Sequence, residues 1–199
     1  LDLKPENVAA LEAVRDRHRV MARIRYGRDL GPASFEPIYY LVFPPKQILE
    51  VKRTLPAWTA RLHNDGWDVH RFSIAEQVTE ILGQSPMRKL WLMGDRKAPL
   101  SWDKANESLA NALTNGSLQG RLEALLTSLE DNQHAIVLVT DLEALHPYLR
   151  IGAIEGQLYG RFHVPTIFFY PGERTGKTRL KFLGFYPEDG NYRSNHVGG

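Results

Sequence analysis

No cysteine occurs in the 199-residue chain. That absence removes disulfides, thiolate zinc sites and cysteine nucleophiles together, and it fits a reducing compartment. No stretch approaches the roughly 18 uninterrupted apolar residues of a membrane span. No signal-peptide pattern stands at the start, where the first residue is Leu1 rather than Met; a preceding targeting segment is left open. Excess charge is small, +2 in all, and does not by itself call for a polyanionic partner. The seven histidines, His18, His63, His70, His134, His146, His163 and His196, show no HExxH or HxH spacing. No serine sits in a GxSxG elbow, and the carboxylates are scattered. Metal ligation, serine nucleophiles and paired acid–base work therefore have no signature here. We expect a cytoplasmic protein with no metal, no cofactor, no catalytic residue and no membrane contact.

What is present is an ordinary globular composition, 43% hydrophobic and 24% charged. The length suits one core rather than two. We read a single α/β domain over residues 1–199, with an N-terminal helix and linker over 1–34 and a core over 35–193. Pro5 opens a helix over about 6–25, with Leu11, Val14, Met21 and Ile24 at helical spacing. The unbroken apolar run Ile38 to Phe43 predicts a strand of a parallel sheet, buried on both faces. Pro44-Pro45 stops it. A helix follows to Asn64, then a strand over 67–72. Ser73 reads as an N-cap with Glu76 completing a capping box, and that helix ends near Gly83.

Residues 84–102 are ambiguous, with Met93-Gly94-Asp95 readable as a turn. Helices are expected over 103–114 and 118–131, a strand over 135–140, and a helical stretch running to Gly160. A strand over 164–170 precedes a turn-rich loop at Pro171-Gly172, and a strand over 178–185 should pair antiparallel with it at the sheet edge. The alternation βαβα predicts a three-layer fold with a mostly parallel sheet, P-loop-like or Rossmann-like in layout without a nucleotide site, ending in a β-hairpin.

Gly172 to Thr178, GERTGKT, imitates a phosphate loop. Only three residues separate its glycines where the motif needs four. Thr178, Leu180 and Phe182 then alternate with Lys177, Arg179 and Lys181, a period of two that describes a strand. Without a following helix there is no helix N-terminus to hold an anion, so the GKT residues read as the tip of a hairpin. The run Ile136 to Asp141 resembles a magnesium-holding strand, but a buried strand ending in an aspartate N-cap is commoner. The place for a phosphate cradle, after Phe43, holds Pro44-Pro45-Lys46-Gln47, where two N–H donors are missing and no glycine lets a ligand approach. Arg15, Arg17, Arg19, Arg23, Arg25 and Arg28 cluster near the first helix. Nucleic-acid binding is one reading; a solvated face partly balanced by Glu12, Asp16 and Asp29 is preferred, because phosphate binding needs a net basic footprint.

The layout resembles the BrxB family of bacterial BREX phage-defence systems. The likeness runs from Phe35-Glu36-Pro37 through Leu49-Glu50-Val51, Val137 to Asp141 and His146 to Arg150. It is strongest in Val164 to Gly172 and continues through Leu180 to Gly184 and Asp189 to Arg193. Gly152 and Gly156 depart from the pattern, as does a missing second tyrosine near the Asn-Tyr-Arg ending, which points to a divergent relative. The resemblance implies a small protein without catalytic motifs, acting beside a PglZ-type phosphatase-like protein, an ATPase and a DNA methyltransferase. It implies DNA contact only within that complex and leaves self-association open. Tyr148, Arg150, Tyr192 and Arg193, near strand ends, are the expected partner-binding residues, being of the types that most often carry interface energy. The competing readings are a P-loop-like nucleotide-binding protein, carried by Gly176-Lys177-Thr178 and Asp141, and a DNA-binding accessory module using the first helix. Titration calorimetry with Mg-ATP and Mg-GTP is expected to show no binding. Micromolar affinity that disappears in Lys177→Ala would restore the nucleotide reading.

Overall fold

The computed structural model describes residues 36–175, 179–189 and 195–198. The helix expected over 6–25 with its arginines, the hairpin tip at Gly176 to Thr178, and Tyr192 and Arg193 lie outside the described residues.

Each apolar run forms a strand whose alternate residues serve opposite faces. In β1 (Ile38–Phe43) all six residues are buried. Ile38, Tyr40 and Val42 point into one core, while Tyr39, Leu41 and Phe43 point into the other. The same division runs through β3 (Ala135–Thr140) and β4 (Thr166–Arg174). With β2 (Asp68–Ser73) and β7 (Asn195–Gly198) they form a parallel sheet in the order β2-β3-β4-β1-β7. Helix α1 (Ile48–Asn64) covers one face with Val51, Leu55, Trp58 and Leu62. The opposite face is covered by Ile74 of α2 (Ile74–Gln84), Leu118, Leu122 and Leu126 of α5 (Ser117–Ser128), and Ile151 and Ile154 of α6 (Ile151–Gln157). The expected three-layer α/β fold is therefore the one observed. Between α2 and α5 lie α3 (Arg88–Lys97) and α4 (Asp103–Thr114). No helix among the described residues is long and apolar enough to cross a membrane.

Local signals mark several boundaries correctly. Ser73 caps α2, its hydroxyl accepting from the Glu76 N–H at 3.3 Å. The Glu76 carboxylate does not complete a box; it pairs with Arg71 on β2. Glu36, just before β1, accepts from the N–H groups of Gly160 at 2.7 Å and Phe162 at 3.2 Å, tying the start of β1 to the loop before β4.

Four expectations need correction. Met93-Gly94-Asp95 is no turn but the middle of α3; one glycine costs a helix only about 1 kcal/mol, and the flanking residues are good helix formers. Pro171-Gly172 opens no loop, because β4 continues to Arg174. Pro171 pairs in register with Phe43 of β1, and its carbonyl accepts from the Leu183 N–H at 2.9 Å, so it is held in extended strand on both sides. The following strand shrinks to β5 (Leu180–Phe182), ended by the positive φ of Leu183 and Gly184. It is antiparallel to β4, as expected, but not at the sheet edge: it pairs with the extension of β4, which lies between β3 and β1. A two-residue strand, β6 (Glu188–Asp189), pairs with β5 in turn.

Gly172 is required by close approach rather than by backbone freedom. A Cβ there would stand 2.5 Å from the Lys181 carbonyl oxygen and 2.6 Å from the Tyr170 ring. Gly172→Ala is therefore expected to destabilise the fold by about 1–3 kcal/mol, the usual cost of overpacking, read as a lower urea midpoint. An unchanged midpoint would show that the β4–β5 pair parts freely.

Candidate functional site

In a parallel α/β sheet the carboxyl ends of the strands are where polar groups gather and ligands bind. Three connections converge there. β1 ends at Phe43 and passes through Pro44 and a 3-10 turn, Pro45–Gln47, into α1. β2 and β3 end in register, Ser73 beside Thr140, and Asp141 follows directly.

Asp141 adopts a left-handed backbone, φ 63 and ψ 36, a conformation that aspartate visits more readily than most residues. It stands where the cap of the short helix Leu142–Leu145 belongs, and its carbonyl accepts from the Ala144 N–H at 3.0 Å. Its side chain does not cap, contrary to expectation. The carboxylate instead accepts from Ser73 at 2.6 Å, from Thr140 at 2.8 Å and from the Lys52 ammonium at 2.8 Å. Lys52 also reaches Glu143 at 2.6 Å. One cation of α1 thus joins two carboxylates at the end of β3, while Ser73 both caps α2 and donates to the cluster.

The charge states follow from these contacts. Burial works against ionisation of Asp141, but the bonds from Lys52, Ser73 and Thr140, with the lysine charge, outweigh it and hold the carboxyl below its usual range. Burial likewise opposes the Lys52 ammonium, and the bonds and charge from Asp141 and Glu143 overcome it, raising its pKa. Both groups are locked in their charged forms near neutrality.

Phe43, Val51, Leu55 and Phe169 wall a cavity of about 130 Å³ beside this cluster, with Lys52, Arg71 and Asp141 on its rim. Small-molecule pockets run to roughly 300 Å³ and above. Over the start of α1, where a phosphate cradle would lie, the hairpin closes in: a Cβ on Gly184 would stand 3.9 Å from Pro45 Cγ. Among the described residues no three His, Asp or Glu side chains converge as metal ligands do.

Two of the four residues expected to bind a partner, Tyr148 and Arg150, lie on the loop after this cluster. Arg150, just before α6, stacks its guanidinium 3.6 Å from the centroid of the Tyr186 ring. Tyr186 also bonds to His146 and stands 4.7 Å from Phe185, an exposed ring. Tyr148 is half-buried. The structure brings Arg150 and Tyr148 into one loop beside this aromatic group; Tyr192 and Arg193 are not among the described residues. Lys52 went unnoticed in the sequence, though a signal exists. It falls four residues after Ile48 and three before Leu55, a cation within an apolar stripe that needs a partner.

The sign of the linkage is set by the depressed Asp141 pKa. Its contribution is present above the unfolded value of about 3.9 and is lost as pH falls through the lower folded value. Asp141→Asn should cost about 1–2 kcal/mol at neutral pH, a charge-assisted hydrogen bond discounted because Lys52 is 45% exposed. Urea unfolding should show that gap closing below about pH 4. A gap unchanged at low pH would mean that the ion pair is not what the substitution removes.

A family model described as "BREX protein BrxB" matches residues 71–197, more than half of the chain. No curated protein and no solved structure matches it.

Proposed function

Because the chain belongs to the BrxB family, and so is a component of a BREX phage-defence system, we propose that it acts there without catalysing a reaction, holding a PglZ-type, phosphatase-like partner in the defence complex. The observation that carries this reading is the mutual satisfaction of the polar groups at the strand ends. Lys52, Asp141, Glu143, Ser73 and Thr140 bond to one another, and the adjoining cavity is small. Such a cluster fixes the loop that leaves β3, and that loop presents Tyr148 and Arg150.

The proposed contact surface comprises Tyr148, Arg150, Tyr192 and Arg193. Arg150 is held in place by the Tyr186 ring, so little side-chain freedom remains to be lost on binding. Exposed Phe185 adds apolar area beside it. Tyrosine and arginine bury large surfaces while keeping polar anchors, which is why they dominate interface energies. Any DNA contact would come through the complex, in the cytoplasm.

The test is co-purification of the tagged chain from cells expressing the neighbouring defence genes. The PglZ-type protein should be retained, and alanine at all four positions should reduce retention at least about tenfold. The reading fails if nothing is retained at low salt, or if a folded quadruple variant retains the partner unchanged.

A further inference from the structure

Helix α3 is almost wholly outside the packed layers. None of its residues is buried. Half-buried Trp91 holds it to the rest, its indole N–H donating to Ser108 Oγ of α4 at 2.8 Å. Leu90 and Met93, one turn apart, are 56% and 65% exposed; just beyond the helix, Leu100 and Trp102 are 87% and 62% exposed. Large apolar side chains left exposed along one stretch of chain mark a contact site, and the thioether of methionine adapts readily to a partner's relief.

The charge of the helix is as uneven as its polarity. Arg88, Lys89, Arg96 and Lys97 stand against Asp95 alone, giving +3. The whole chain is +2, so everything outside α3 sums to −1. This ten-residue helix alone carries more net positive charge than the whole chain. None of the four cations has an ion-pair partner among the described residues.

We infer that α3 is a second docking surface, beyond the loop proposed above, and that it takes a partner protein with an apolar groove rimmed by Asp and Glu. Charge complementarity selects this occupant. A second copy meeting α3 through a two-fold axis would set +3 against +3. The chain's own residues 1–34 carry seven cations against five carboxylates, so they repel rather than complement the face. A lipid surface wants cations and apolar residues on separate faces. Here Leu90, Met93 and Lys97 follow one another at i, i+3 and i+7, placing an ammonium in the apolar stripe. A protein groove accommodates that arrangement with a carboxylate at its mouth, in the manner of a helix seated by anchors at these spacings.

The experiment places the photo-crosslinking residue benzoylphenylalanine at position 93 and, in a separate variant, at position 148. Each full chain is expressed with the complete defence system, and cross-linked peptides are sequenced. Position 93 should label one peptide of another defence-system protein, rich in Asp and Glu around apolar residues. Reversing Arg88, Lys89, Arg96 and Lys97 to Glu should lower that yield at least about tenfold while far-UV circular dichroism stays unchanged. These side chains are exposed, so the fold should tolerate the change. A label at 93 in a second copy, in residues 1–34, in lipid or in a peptide without carboxylates overturns the inference, as does no label at all or a yield indifferent to charge reversal. Position 148 reports separately on the loop: a partner labelled from 148 and not from 93 leaves the proposed function standing and removes only this surface.

Discussion

Burial of both faces of the central strands is the constraint from which the architecture follows. β3, β4 and β1 each have a strand on either side and a packed layer above and below. Six consecutive residues of β1 and of β3 are out of contact with solvent. Such strands hold almost no polar side chains, so helices must lie on both faces and the polar groups collect at the strand ends. Tyr40 shows how strict this is. Its ring stacks on Phe168 at 5.1 Å in the core, and its hydroxyl still finds Glu155 of α6, because a buried hydroxyl without a partner is costly.

At the carboxyl ends the same constraint yields a closed polar cluster. The layout is one in which nucleotide-binding proteins leave backbone N–H groups facing a cleft. Here the turn after β1 is made of prolines packed beside the hairpin, and Lys52, farther along in α1, is engaged by two carboxylates. At this end of the sheet the polar side chains bond to one another, and the cavity beside them is about 130 Å³. The fold's outward features, the Arg150–Tyr186 stack and the basic, apolar helix α3, stand on elements anchored to that cluster or branching from the α2–α4 layer.

Much of the fold was legible because its signals are local. The apolar run of β1, the serine cap before α2 and the period of two around Leu180 each report on a few neighbouring residues. What escaped was set by distant contacts. Pro171-Gly172 carries a turn signature, yet pairing with Phe43 and Phe182 holds it extended. β7 is too short to announce itself and exists by pairing with β1. Lys52 is one lysine among many until Asp141 and Glu143, about ninety positions later in the chain, arrive at the end of β3. The aromatic group around Arg150 likewise needs Tyr186, which the sequence places 36 positions away.

The pairing of β1 also shapes how the chain is made. Both neighbours of this strand come late: Ile38 aligns with Thr166, and Tyr39 with Asn195. At roughly 5–20 residues per second, β1 leaves the ribosome on the order of ten seconds before β4 exists to receive it. Throughout that interval two tyrosines, a phenylalanine and three aliphatic residues form an unpaired, sticky ribbon. Such a strand is what chaperones bind and what aggregation recruits. The yield of folded protein in the cell should therefore depend on how well nascent residues 38–43 are shielded during translation, as well as on the stability of the finished sheet.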